Sequence, residues 1–346
     1  MAARESVMTM LASSALGTAA TVSAPWHPLS RHEVNKAVER RGPARVPLVG
    51  SAVAGADALN DDVNVLWIDP FDAERMSAKW RAQVLSDRAP LHDWSRIDAF
   101  IAALPDPDAD PRIAALAERV RGFHEQDRYV LLGWRNLGLG RLLALRGTEQ
   151  GFVDLIESPE QAARLMTALA RYSARWLRAA LRDIRPDGIW TTDELAQQTR
   201  LFVSPQTFRT FIKPLYQQIG ALVKANEVHW WFQADGNLLH LMNDLIEAGV
   251  HVLHPVSRGC MDEHWVRHEF GDRVTFCVGI DVERVLRQGH ADDVRDEVRW
   301  LIDTFDGHHG GLCVGLDRAL PPGISPNNLL AFTDEVLRYG IEHRRL

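Results

Sequence analysis

Cysteine is scarce in this chain: Cys260, Cys277 and Cys313 are the three among 346 residues, and none sits in a CxxC pair. That argues against a disulfide framework or a zinc knuckle and makes a reducing cytoplasm the expected compartment. No apolar run approaches the ~20 residues needed to span a bilayer, so no membrane partner is expected. Positive charge is not in excess either. Lys and Arg total 39 against 46 Asp and Glu, a net charge of −7, which gives no global field for nucleic acid but permits a local basic pocket for an anionic ligand. Internal repeats and low-complexity tracts are missing, apart from a small-residue run from Val7 to Ala24. Arg4 precedes that run and Val22-Ser23-Ala24 ends it, superficially like a cleavage site, but Ser, Thr and Gly interrupt it repeatedly. Residues 1–30 therefore read as a partly flexible N-terminal extension.

The remainder has ordinary globular composition, 46% hydrophobic and 25% charged, enough to bury a large core. Short β-branched or apolar runs alternate with longer amphipathic stretches, the pattern of repeated βα units. The strand candidates are Val46–Val53, Val63–Asp69, Tyr129–Trp134, Gly188–Asp193, His229–Asp235, His251–Val256, Val274–Asp281 and Gly311–Asp317. Eight is the number that closes an α/β barrel, so the expected fold is a single (β/α)8 TIM-type barrel over residues 31–346. Helices are expected at Pro159–Arg182, where Ser158-Pro159 gives a start signal, and at Pro205–Asn226 and Asp292–Phe305. The stretch from Arg81 to Pro111 reads as a long excursion between strands.

Most of these strands end in a polar or charged residue: Asp69, Trp134-Arg135, Asp193-Glu194, Gln233 with Asp235, His254, Asp281 and Asp317-Arg318. In a barrel the C-terminal strand ends surround one mouth, so side chains distant in sequence converge there. Each of them singly is also explained as a turn or cap residue. Asp69, Asp193 and Asp235 are the candidate catalytic carboxylates, with Glu194 beside them, since crowded carboxyls raise one another's pKa toward the range useful for acid–base work. An oxygen-rich site for a divalent metal such as Mg²⁺ or Mn²⁺ is the alternative use of the same residues. Arg318 offers a permanent planar fork for a substrate carboxylate, its bland alternative being an ion pair with Asp317 or Asp281. Gln233, His254, Trp190, Trp134 and Asp281 complete the candidate substrate-binding set. His254 reads either as a proton shuttle or as a hydrogen-bonded core histidine. His308 and His309 fall at the opposite end of the last strand and are set aside as ligands.

In order and spacing, several segments resemble the uroporphyrinogen decarboxylase superfamily, which also contains the corrinoid-linked methyltransferases. They include Arg45-Val-Pro-Leu48, Leu145-Arg-Gly-Thr-Glu149 followed by Asp154, Thr192-Asp-Glu-Leu-Ala-Gln197 and Leu201-Phe-Val-Ser-Pro205. Further along come Gln233-Ala-Asp-Gly-Asn237, Gly249-Val-His-Val-Leu253, Phe270-Gly-Asp-Arg-Val-Thr-Phe276, Gly279-Ile-Asp281, Gly310-Gly311 and Asp317-Arg-Ala-Leu-Pro-Pro322 with Asn328. The resemblance spans roughly Leu29 to Gly340 and implies a barrel with a deep cleft at its C-terminal mouth, often in a homodimer.

Both activities of that superfamily require residues that this chain lacks. Where the decarboxylases carry Arg-Gln-Ala-Gly-Arg, the chain reads Ala52-Val-Ala-Gly-Ala56, without the cations that hold the substrate's carboxylates. Their catalytic Asp matches Asp69 by the same alignment. The methyltransferases bind zinc through His-x-Cys and a later Cys, positions taken here by Gln233, Asp235 and Arg318; Cys313 falls earlier, inside a strand. No metal or cofactor is thus expected. The function expected is a metal-independent lyase of decarboxylase type acting on a small anionic, possibly aromatic substrate other than uroporphyrinogen. A corrinoid-dependent methyltransferase component and a non-catalytic ligand-binding barrel are the alternatives.

Overall fold

Eight parallel strands, interleaved with helices, make the chain an α/β TIM-type barrel. The computed structural model describes residues 27–49, 61–71, 89–256, 258–306 and 309–343. Ala52–Ala56 and His308 lie outside the described residues, as do residues 1–26 of the expected extension and the part of the excursion before residue 89. In chain order the elements are α1 (Arg31–Val38), β1 (Leu48–Val49), β2 (Val63–Trp67), α2 (Ile97–Ala103), α3 (Pro111–Glu125), β3 (Tyr129–Trp134), α4 (Leu139–Arg146), α5 (Thr148–Glu157) and α6 (Pro159–Asp183). There follow β4 (Gly188–Thr192), β5 (Ala196–Gln197), β6 (Arg200–Leu201), α7 (Lys213–Ala225), β7 (His229–Gln233), α8 (Met242–Ala248), β8 (Val252–His254), α9 (Glu263–Phe270), β9 (Thr275–Ile280), α10 (Ala291–Phe305), β10 (Leu312–Leu316) and α11 (Pro326–Glu342). The sheet order is β1-β10-β9-β8-β7-β4-β3-β2, and a backbone bond from Asp62 N to Leu48 O at 3.0 Å links its two ends. Among the described residues no helix is long and apolar enough to cross a membrane.

All eight expected strands are present, but most stop one or two residues early. Asp69, Asp193, Asp235, Asp281 and Asp317 all fall just beyond their strands. The reason is local: an Asp carboxylate accepts loop N–H groups that an extended strand would turn toward a neighbour. Helix α6 matches its expected span within a residue. The expected Pro205–Asn226 helix is interrupted by a π turn at Phe208–Ile212 before α7 begins. The antiparallel hairpin β5–β6 has no counterpart in the sequence reading. Its strands are two residues long, too short for an alternating pattern, and its turn residues Gln198-Thr199 carry no Gly or Asn.

The described residues fall into two compact units, one within Met1–Val65, Gln126–Tyr129 and His254–Leu346, the other within Leu66–Glu125 and Val130–Leu253. In the first, β9 and β10 pair in register, Cys277 opposite Cys313 and Gly279 opposite Gly315. Phe276 meets Phe305 of α10 edge-on at 5.5 Å, which fixes one face of β9 against the helices. Asp62, fully buried, accepts Leu29 N and Leu48 N, each at 2.8 Å, and both ends of the Arg45 fork at 2.6 and 2.7 Å. Arg45-Val-Pro-Leu48 is therefore a joint that sets the start of β1.

In the second unit the strand side chains sort cleanly by parity. Toward the helices point Trp134, edge-on to Trp176 of α6 at 5.6 Å, and Trp230, whose indole N–H donates to Thr191 Oγ1 at 2.8 Å beneath Tyr216 of α7. Toward the other face point Trp190 and Trp231, stacked at 5.4 Å with 20° between their planes and opposite one another in the β4–β7 register. Trp134 was expected to contact substrate. Its place under α6 corrects that: it is core.

Candidate functional site

Asp193 follows β4 directly and is buried. Its Oδ2 accepts the backbone N–H groups of Gly138 and Leu139, each at 2.9 Å, and the Tyr216 hydroxyl at 2.5 Å. Oδ1 accepts Gly140 N at 2.6 Å and Glu194 N at 2.9 Å. Gly138 is the N-cap of α4 and has no side chain to offer, so the cap comes from the neighbouring strand. Glycine is required there by contact: a Cβ on Gly138 would sit 2.8 Å from Asp193 Oδ2, and one on Gly140 3.0 Å from Oδ1. Burial pushes the Asp193 carboxyl up, while the Tyr216 hydroxyl and the backbone N–H groups pull the other way. Tyr216 is itself pushed well up, by burial and then by Asp193, and stays a donor. With both oxygens committed, Asp193 cannot exchange a substrate proton without releasing α4. The geometry assigns it to holding α4 in place, which corrects the catalytic role expected from sequence.

Its neighbour Glu194 points differently. Exposed at the end of β4, its carboxyl is pushed up, first by protein atoms that displace water and then by the charges of Asp193 and Asp235. Asp235, two residues past β7, is likewise exposed. Both backbones are fixed by the β5–β6 hairpin: Asn237 N donates to Gln197 O at 3.0 Å, and Gly236, at φ +89°, lies so close that a Cβ would meet the Gln197 carbonyl oxygen at 2.4 Å. Gln233, at the end of β7 between these groups, accepts the Trp190 indole N–H on Oε1 at 3.0 Å. Trp190 is completely buried and so supports Gln233 from beneath.

Asp69, just past β2, accepts Phe71 N at 2.9 Å and Arg141 Nη2 at 2.8 Å on the same oxygen. Arg141 is buried, also donates to the Asn136 and Arg135 carbonyls at 3.3 and 3.1 Å, and lies 4.5 Å over the Phe71 ring. The Asp69 charge is thus already matched by a fixed cation, which favours a role in orienting Arg141 over proton transfer.

In the other unit, Arg318 turns back on its neighbour, its Nε and Nη2 donating to Asp317 Oδ2 at 3.2 and 3.1 Å with the side chain 63% exposed. Burial pushes the Asp317 carboxyl up, and its other oxygen accepts Val282 N at 3.1 Å. Asp281 caps the turn at Val282–Arg287, accepting Arg284 N at 2.8 Å and Arg284 Nε at 3.2 Å. That corrects its expected substrate contact to a cap. His254 is buried, its Nδ1 3.0 Å from the Cys277 carbonyl oxygen, and burial pushes its pKa down to about 4. It is neutral at physiological pH, so the proton-shuttle reading is corrected to the core one. Cys277 and Cys313 are both buried, and burial pushes the Cys277 thiol well up.

The His254 environment has a measurable consequence. Above pH 6.5 folded and unfolded chains are both neutral at this residue; between 6.5 and 4 the unfolded chain takes up a proton that the fold refuses. Stability is therefore lost on acidification through that window, by roughly 1.4 kcal/mol per pH unit and about 3 kcal/mol in all. His254→Gln removes this share of the acid sensitivity, which urea unfolding at neutral and mildly acidic pH measures.

The carboxylates do not fit the divalent-metal alternative. Among the described residues no group of three or more His, Cys, Asp or Glu is placed to hold an ion, and every strong acceptor direction of Asp193 is already used.

A family model described as uroporphyrinogen decarboxylase (URO-D) matches residues 105–339. No curated protein matches the sequence. Among solved structures, a methyltransferase from Methanosarcina mazei superimposes with a TM-score of 0.54 at 16% identity, covering 66% of this chain and 65% of its own length. A class V chitinase from Pseudomonas fluorescens Pf-5 gives a TM-score of 0.39 at 8% identity, covering 63% of this chain and 84% of its own. The chain therefore spans about two thirds of the methyltransferase's length, and that likeness establishes the shared fold. With the family match extending over more than half of the sequence, the chain belongs to the uroporphyrinogen decarboxylase family.

Proposed function

We propose that this protein is a lyase of the family's decarboxylase type, acting on a small carboxylate, with Glu194 as the proton donor. The observation that carries the reading is the Glu194 carboxyl, raised by its surroundings at the end of β4 and flanked by Asp193 and Asp235. Loss of carbon dioxide breaks a C–C bond and leaves its electron pair on carbon; a proton must then be delivered to that carbon. A carboxyl whose affinity for its proton is raised by its surroundings supplies it, and water restores the proton afterwards. The buried Trp190–Trp231 stack fills space below Gln233, which favours a compact substrate over a tetrapyrrole.

Anchoring of a substrate carboxylate by Arg318 is a separate proposal, supported by the exposure of its side chain. Arg318→Lys and Arg318→Ala are expected to lower kcat/KM about tenfold, a 1–2 kcal/mol loss in keeping with a solvated fork, with little change in melting temperature. Unchanged efficiency in both variants returns Arg318 to a purely structural pairing.

Screening small aliphatic and aromatic carboxylates for carbon dioxide release tests the lyase reading. Release that disappears in Glu194→Gln supports it. The competing reading, methyl transfer from a corrinoid, rests on the fold likeness alone, and demethylation of methylcobalamin without carbon dioxide release would favour it.

A further inference from the structure

Helix α6 carries Arg164, Arg171 and Arg175 at i, i+7 and i+11, all on one face. That face, with Leu104 and Pro105 after α2, bounds a cavity of about 570 Å³. Tyr172 closes its floor: it is buried, its hydroxyl donates to the Pro70 carbonyl at 2.8 Å, and its ring lies 4.8 Å from Phe71. The volume is that of a small-molecule site, and every charged residue described on its lining is an arginine.

Two of these cations are held from outside the cavity. Arg164 pairs with Asp98, and Arg175 with Asp106 at 2.6 Å and Asp108 at 3.2 Å. All of these partners are exposed, and pairs of that kind hold weakly in water, so a ligand can recruit either guanidinium at little cost. Arg171 is also exposed and forms no ion pair with any described residue. A planar fork without an ion pair among the described residues, set beside aromatic and aliphatic lining, matches one chemistry: an anionic head on a short apolar body.

We propose that this cavity is a second ligand site, separate from the Glu194 region, that binds a small amphiphilic anion, a carboxylate or phosphate carried on an alkyl or aryl group. Arg171 makes the primary contact with the head, Arg164 and Arg175 close over it, and Tyr172, Leu104 and Pro105 receive the apolar part. The proposal does not depend on the lyase reading.

Calorimetric titration of the intact protein with hexanoate and with phenyl phosphate tests it, inorganic phosphate and hexanol serving as controls. Saturable binding of at least one amphiphile is expected, at least tenfold tighter than either control and weaker as ionic strength rises. The stronger of the two arms identifies the head group. Arg171→Ala should weaken it at least tenfold without moving the melting temperature of the unliganded protein. Ala168→Phe, which fills the cavity, should abolish it, its fold checked by melting, and Glu194→Gln should leave it intact. Binding unchanged in both cavity variants would place the anion elsewhere and overturn the proposal. So would inorganic phosphate binding as tightly as phenyl phosphate, or no saturable binding in either arm.

Discussion

Replacing Asp193 with alanine is expected to destabilise the fold by about 3–5 kcal/mol, the range for stripping a buried, fully engaged charged group from its partners. Four backbone N–H groups and the Tyr216 hydroxyl lose their acceptor at once. Three of those N–H groups open helix α4, where the positive end of the helix dipole adds to the attraction. Asparagine keeps the shape, but its amide nitrogen faces N–H donors in place of an acceptor, so Asp193→Asn should recover only part of the loss. Tyr216→Phe removes one donor of five and should cost about 1–2 kcal/mol. Urea unfolding of the three variants ranks these effects. An Asp193→Ala protein as stable as the parent would remove the carboxylate from its place as the cap of α4.

The second large effect is on turnover. Glu194→Gln should reduce kcat by roughly 10²- to 10⁴-fold, the usual share of a positioned general acid, while leaving stability nearly unchanged because the side chain is exposed. The sign of the pH dependence follows from the direction of the shift. The acid form is the active one, so kcat/KM should fall as pH rises through the raised Glu194 pKa. Asp235→Asn removes one of the two charges that raise it, so the alkaline limb of the pH profile should move to lower pH while the rate on the acid side is retained. Measuring both profiles separates this from a structural effect of Asp235, which would lower the rate at every pH.

The strands were legible because each joins a buried apolar run to a polar residue, as Tyr129–Trp134 and Thr275–Ile280 show by being buried throughout. The faces were not. Trp134 and Trp190 look alike in sequence, and only Trp176 across from one and Trp231 beside the other tell core from interior. The role of Asp193 was hidden because its partners at Gly138–Gly140 lie 53 to 55 residues earlier in the chain. A trace of it was present in the Gly-Leu-Gly spacing, which leaves room for an approaching carboxylate. Several motifs behind the family resemblance turn out to be joints. Arg146 grips Asp154 within a buried pair, and Asn328 donates to the Leu286 and Gly289 carbonyls at 2.9 and 2.8 Å. Such motifs report the scaffold faithfully and say little about the substrate, which is why the fold was easier to read than the chemistry.

The carboxylate that fastens the scaffold and the carboxylate assigned to the reaction are consecutive residues, Asp193 and Glu194, joined by a bond in which the first accepts the backbone N–H of the second. That bond uses no side-chain atom of residue 194. Evolution can therefore exchange the reactive group while its platform stays rigid. A library randomised at position 194 alone should stay soluble and folded across nearly all of its members, and would be an economical starting point for recruiting this barrel to other chemistries.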